Sequence, residues 1–319
     1  MIGENTDKDV AGGFEVVIVG GGFAGLAAAT VLGRARRRVL VIDAGSPRNR
    51  FSPAAHGFLA HDGRPPGEIL EMARTQLRAY PTVEIRAGEA VSAAGDRDNG
   101  FAVTVGGETV RARRLILAGG VRDHLPEIPG LADLWGTGVL HCPYCHGFEV
   151  AGRPLAVLLA AGEWSVHQAL LVRDWSEDVT LLTNGNAETS LTPDDRARLR
   201  ARGVTIEDAR IARVIGSGPD LEAVEFADGR FARFGGLFVA PRISPASPLA
   251  EQLGCATDAG PLGPLVRTDE TQQTTVPGVY AAGDAARRAH HVTGAAADGV
   301  AAAIAAHQSL VFAATPDGG

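Results

Sequence analysis

The chain has 319 residues, 45% of them apolar, with 41 glycines, three cysteines and a formal net charge of −7. That length accommodates two domains of ordinary size, and the acidic balance gives no reason to expect a nucleic-acid partner. Two of the three thiols share one tight motif, so no disulfide framework is indicated, and in a cytoplasmic setting such a pair is catalytic or metal-binding more often than structural. The first thirteen residues are polar and acidic, and no run reaches the ~18 apolar residues of a membrane span, so neither a signal peptide nor membrane insertion is expected.

Taken in chain order, the first elements read as a strand over 15–19, a glycine-rich turn, a helix over 22–32 and a strand over 38–42 that ends at Asp43. The turn is Gly20-Gly21-Gly22-Phe23-Ala24-Gly25. Gly20 permits the tight turn, Gly22 lets backbone amides approach a pyrophosphate, and Gly25 lets helix and strand pack closely. The helix N-terminus then faces the phosphates while Asp43 accepts ribose hydroxyls. Arg34, Arg36, Arg37 and Arg38 form the one dense basic run, which reads as a solvated helix C-terminus. Further on, Arg114 to Leu117 is a short apolar strand running into Ala118, Gly119 and Gly120.

The next segment, His141-Cys142-Pro143-Tyr144-Cys145-His146-Gly147, narrows the chemistry most. Two thiols separated by two residues can close to a disulfide and reopen, and such a pair commonly contains a thiolate of lowered pKa. Read alone, Cys-x-x-Cys-His also fits haem attachment, which needs export, and half of a zinc site, which would need scattered histidines. The flanking His141 and His146 can add positive charge or move protons, and His146 is the candidate acid or base, because imidazole titrates near neutral pH.

A second strand–helix–strand unit follows over 154–159, 165–174 and 178–182. Its turn, Ala160-Ala161-Gly162-Glu163-Trp164-Ser165, replaces the first glycine with alanine and puts a bulky ring and a carboxylate where phosphates would lie. After its second strand, Thr183-Asn184-Gly185 offers neither an arginine for a 2′-phosphate nor an acid for a ribose. A vestigial nucleotide site is the expectation. The chain ends with a strand in 275–284, closing on Gly283-Asp284, and a small-residue helix over 295–307; Cys255 reads as a simple thiol.

These segments together resemble the two-domain FAD-dependent pyridine-nucleotide–disulfide oxidoreductases, and the resemblance covers nearly the whole chain. It implies an α/β fold of two Rossmann-like, three-layer nucleotide-binding domains with the second inserted into the first. The expected boundaries give FAD-binding parts at 1–124 and 246–319 and an insert at 125–245. The cofactor implied is FAD. Its contacts would be Gly20, Gly22, Phe23, Ala24 and Gly25 on the turn, then Asp43, Ala44 and Asn49 after the second strand. His56, Val91, Ala118 and Gly119 would join them, followed by Gly283, Asp284, His291 and Val292. His290-His291-Val292 aligns with the segment that meets the flavin in thioredoxin reductases.

The cysteine pair sits in the second domain, as in low-molecular-weight thioredoxin reductases. With His146 in place of that group's aspartate, and with the eroded second nucleotide motif, the chain looks more like the dithiol oxidases of the holomycin, gliotoxin and romidepsin type. That resemblance implies that Cys142 attacks substrate, Cys145 lies against the flavin and His146 moves the proton. It further implies a small-molecule or peptide dithiol as substrate, O2 as acceptor, independence of NADPH and a homodimer. A flavin-dependent thioredoxin reductase, driven by NADPH or ferredoxin, is the alternative, and a flavoprotein redox sensor a second.

Overall fold

The computed structural model describes residues 13–312; the reading of residues 1–12 lies outside them. β1 (Phe14–Val19) has its last four residues buried, the pattern of a central strand covered on both faces. It leads through the glycine turn into α1 (Phe23–Arg34), with Gly22 as N-cap, and then into β2 (Val39–Asp43). The basic run at the end of α1 is partly pinned rather than simply solvated, because Arg37 pairs with Glu15 at 2.7 Å. After α2 (Pro66–Leu77) come β3 (Val83–Ala87), β4 (Ala90–Asp96), β5 (Gly100–Val105) and β6 (Glu108–Leu117). Strand β6 is longer than the sequence suggests, because its first half pairs antiparallel with β5 while its second half lies parallel to β1.

The chain leaves this first sheet through β7 (Val121–His124). It then builds β8 (Val139–Leu140), the short α3 (Pro143–His146), β9 (Leu155–Leu158), α4 (Glu163–Val172) and β10 (Val179–Leu182). The unit continues through α5 (Ala187–Ser190), α6 (Pro193–Ala201) and β11 (Val204–Glu207). An antiparallel sheet of β12 (Ile211–Ser217), β13 (Asp220–Phe226) and β14 (Phe231–Ala232) follows, and β15 (Gly236–Val239) returns to the parallel sheet β11-β10-β9-β15-β8. β16 (Arg242–Pro245) carries the chain back, antiparallel to β7. This two-stranded connector is where the second unit is let into the first.

The first unit is completed by α7 (Leu249–Gln252), the hairpin β17 (Thr257–Ala259) and β18 (Pro264–Val266), β19 (Val279–Ala281) and α8 (Val292–Phe312). β19 adds in parallel to the second half of β6. It is shorter than expected because residues 275–278 turn, with Gly278 at φ +84° and the Val279 amide donating to the Val276 carbonyl at 3.1 Å. Helix α8 is long and apolar enough to cross a bilayer by length and composition, yet its Ala302, Ala303, Ala306 and Leu310 are buried in the core shared with α1. A Cβ on Gly299 would stand 2.0 Å from the Ala24 carbonyl oxygen, so glycine is what lets α8 lie against α1. The fold is α/β, with two Rossmann-like units.

Candidate active site

A cleft of about 860 Å³ opens beyond the carboxyl ends of β1, β2 and β6, where ligands of open parallel sheets bind. Gly20, Gly21, Gly22 and Asp43 line it, and so do His141, Cys142, Cys145 and His146 from the insert. One cavity therefore joins the dinucleotide turn to the redox pair. The glycines act as the motif demands. Gly20 sits at φ +112°, where a Cβ would be 2.2 Å from the Ala118 carbonyl oxygen, and a Cβ on Gly25 would be 1.8 Å from the Gly20 oxygen. Gly22 is different: a Cβ there meets nothing within 4 Å. Its face is open to the cleft. Asp43 is fixed by the Gly45 amide at 2.9 Å and by Arg74 Nη2 at 2.8 Å.

Arg48, on the 3-10 turn after β2, organises the middle of the cleft. Its Nε donates to Asp123 Oδ2 at 2.8 Å and its Nη2 to Asp123 Oδ1 at 2.6 Å, the planar fork that suits a carboxylate. Nη1 donates to Asp284 Oδ2 at 2.8 Å and meets His290 Nδ1 at 2.7 Å. Burial disfavours the charge on Arg48, but the two carboxylates more than offset it and hold the guanidinium protonated. His290 is pushed towards the neutral form, chiefly by burial. His291 accepts the Gly294 amide on Nδ1 at 2.9 Å, which caps α8 through a ring nitrogen.

The thiol pair begins α3, with Cys142 as N-cap and Pro143 in the first turn. Both cysteines are free thiols of intermediate exposure. The Cys142 thiol is lowered to about 7, first by a hydrogen bond from Cys145, against the opposing effect of burial, and further by the Cys145 and Tyr144 amides and the charge of Arg48. Donating that hydrogen bond, with burial and the neighbouring thiolate, pushes the Cys145 thiol well up. Of the reduced pair, Cys142 is the sulfur that ionises first and Cys145 the one that stays protonated. His141 is lowered to about 4, mainly by burial, and its Nδ1 lies 3.2 Å from the Val239 carbonyl oxygen. Burial likewise lowers His146, partly opposed by Glu149. The exposed Tyr144 and Phe148 flank this turn, and Tyr144 packs edge-on against Trp175.

Of the residues singled out in the sequence, Phe23, Ala24, Ala44, Asn49, His56, Ala118, Gly119, Gly283, Asp284, His291 and Val292 also line the cleft. His56 bridges to the insert, with Nε2 3.3 Å from Glu149 and Nδ1 3.5 Å from Asp62. Gly25 lies behind the turn, packed on Gly20, rather than at the surface of the cleft. Val91 is not among the residues that line the cleft. Its side chain is exposed on β4 while Ala90 faces the cleft, because alternate residues of a strand point to opposite faces and the β4–β5 register shifts at this point. Arg48 and Asp123 were not anticipated, since each looks like an ordinary surface residue in its own stretch, whereas His141, flanking the thiol pair in sequence, does line the cleft. Cys255 is buried in the first unit's core and donates to Thr274 Oγ1 at 3.5 Å.

The second unit contrasts with the first. The Ala160 and Ala161 amides, at the turn that would receive phosphates, donate to the buried Ser165 Oγ at 3.1 and 3.0 Å. Beyond β10, Asp208 accepts from the Thr183 hydroxyl and, at 2.9 Å, from the Ala187 amide that opens α5. Asn184 Oδ1 accepts the Ile211 amide at 2.7 Å. Two amides of this turn and the polar groups just beyond β10 are therefore bonded within the protein.

Residues 14–299 match the family described as pyridine nucleotide-disulphide oxidoreductase, and the chain belongs to that family. It is 31% identical to thioredoxin reductase sirT of Leptosphaeria maculans, over 91% of this chain and 92% of that protein. Among solved structures it resembles an oxidoreductase from Agrobacterium tumefaciens, 44% identical with a TM-score of 0.88, over 94% of this chain and 99% of that one. HlmI has the same TM-score at 40% identity, over 94% of this chain and 93% of its own. The protein is a flavin-dependent disulfide oxidoreductase, and its cofactor is FAD. The cleft suits that cofactor: its face is open at Gly22, Asp43 is held as an acceptor, and the buried Nε2 of His290 has no hydrogen-bond partner among the described residues.

Proposed function

We propose that this enzyme is a dithiol oxidase, closing a disulfide in a small-molecule or peptide dithiol through Cys142 and Cys145, with O2 as acceptor and without NADPH. The observation that supports the direction is the altered turn of the second unit, where the Ala160 and Ala161 amides are taken by Ser165 Oγ and the bulky Trp164 and the Glu163 carboxylate stand where phosphates would lie. Gly20, Gly22, Phe23, Ala24, Asp43, Asp284, His291 and Val292 would hold FAD, and Gly25 would keep the turn closed. When bound, FAD supplies a two-electron acceptor beside the pair that O2 can reoxidise to release peroxide.

The cycle begins with Cys142 and Cys145 joined. A substrate thiolate attacks Sγ of Cys142, the S–S bond breaks and Cys145 leaves with the electron pair. His146, which burial keeps neutral, takes the proton of the attacking thiol. The second substrate thiolate then attacks the substrate sulfur of the mixed disulfide and expels Cys142. A thiol with a pKa of about 7 is a good leaving group, which suits Cys142 to that step. Substrate is oxidised by two electrons and the cysteine pair is reduced by two.

The relatives' names favour a second reading, thioredoxin reduction. Yellow purified protein mixed with dithiothreitol under air should release one peroxide per disulfide formed, with no NAD(P)H present. Flavin bleaching by micromolar NADPH, followed by thioredoxin reduction, would overturn the oxidase reading. The proposal includes a cytoplasmic homodimer, which light scattering of the native protein tests.

A further inference from the structure

We propose that His290 is a further catalytic residue, a neutral imidazole locked as an Nε2–H donor towards the flavin ring, with Arg48 as the residue that locks it. A guanidinium can only donate, so the 2.7 Å contact between Arg48 Nη1 and His290 Nδ1 makes Nδ1 the acceptor, in competition with the Arg287 carbonyl, which also faces this ring and favours a ring N–H. The proton of the neutral ring is then on Nε2. Arg48 cannot turn away to release it, because its other contacts run to both oxygens of Asp123 and to Asp284.

His290 Nε2 is buried, and no group among the described residues accepts from it. Leaving a buried N–H without an acceptor is unfavourable, so it marks a place where a ligand atom completes the bond. His290 lines the cleft that holds the dinucleotide turn and the thiols. It also belongs to the redox end of that cleft: its charge would bear on His141, beside Cys142, and the charge of Arg48 bears on both cysteines. The adenosine end is set by Asp43, on the other side of the glycine turn. The ligand group at His290 is therefore the ring that gains electrons, and an N–H donor there stabilises the negative charge the ring acquires. This rests on the family's flavin and not on the direction of electron flow.

The test uses the holoenzyme without dithiol, O2 turnover or NADPH. Sulfite, which bleaches flavin reversibly and places negative charge on it, is titrated into wild type, His290→Leu and His290→Gln while the flavin midpoint potential is measured. His290→Leu should retain flavin, bind sulfite at least tenfold more weakly and lower the potential by about 30 mV, the equivalent of tenfold for two electrons. His290→Gln, whose amide N–H reaches towards the position of Nε2, should stay within about threefold of wild type. Equal sulfite affinity and potential in wild type and His290→Leu would overturn the assignment. Nitrogen NMR of histidine-labelled wild type decides independently of any variant: a proton on Nδ1 of His290 overturns the proposal, and a proton on Nε2 supports it. Because none of these readouts involves substrate, a failure here is separable from a failure of the oxidase reading.

Discussion

The two cysteines differ by three positions in one turn, and their environments drive them in opposite directions. Cys142 receives the thiol hydrogen bond and two amides, while Cys145 donates its proton and faces the resulting negative charge. The lowered thiol titrates at about 7, so Cys142 of the reduced enzyme is protonated and sluggish below that pH and a thiolate above it. Alkylation of the reduced enzyme by iodoacetamide, with the modified residue located by mass spectrometry, should therefore rise with pH about a midpoint near 7 and fall on Cys142. A midpoint near the ordinary thiol value of 9.0 would contradict the assignment. The motif announced a redox pair. Which sulfur is the thiolate was not legible in it, because the answer depends on where the thiols and amides point and on a distant arginine.

Among the elements, the glycine turn was the most legible, since its demands are local: a positive φ, a missing Cβ, an open face. Its glycines nonetheless fail in different ways. A Cβ on Gly25 would collide with the Gly20 carbonyl, so Gly25→Ala should lower stability by about 1–3 kcal/mol even in the flavin-free protein. Gly22 has φ −83° and an empty surrounding, so Gly22→Ala should cost under about 1 kcal/mol while flavin content falls. Thermal unfolding of the apoproteins, compared with the absorbance of the yellow form, separates the two. Equal loss of stability in both variants would mean that the turn is one packed unit rather than a packed back and an open front. Val91 shows the limit of such local reading. A bulge beside it decides which face each residue takes, and a shift of one residue turns a cleft contact into a solvent-facing side chain.

At the scale of the whole molecule, Arg48 ties the first unit to the connector through which the insert enters, because Asp123 lies on β7. Replacing it by methionine leaves Asp123 and Asp284 largely buried without their cation, which should cost roughly 3 kcal/mol. Adding Asp123→Asn to Arg48→Met should recover part of the lost melting temperature, since the unpaired charge is what destabilises. An unchanged melting temperature in Arg48→Met would show that the cluster holds nothing together. Asp123, Asp284 and His290 lie 75, 236 and 242 positions from Arg48 along the chain, and no short motif links residues so far apart. The class of protein, the nucleotide turn and the redox pair were written in short stretches whose backbone and side-chain requirements are satisfied by near neighbours. The Arg48–Asp123–Asp284–His290 cluster, the lowered thiol of Cys142 and the pairing of the Ala160 and Ala161 amides with Ser165 came only with the tertiary structure, because each depends on which polar groups the folded chain brings into one desolvated space.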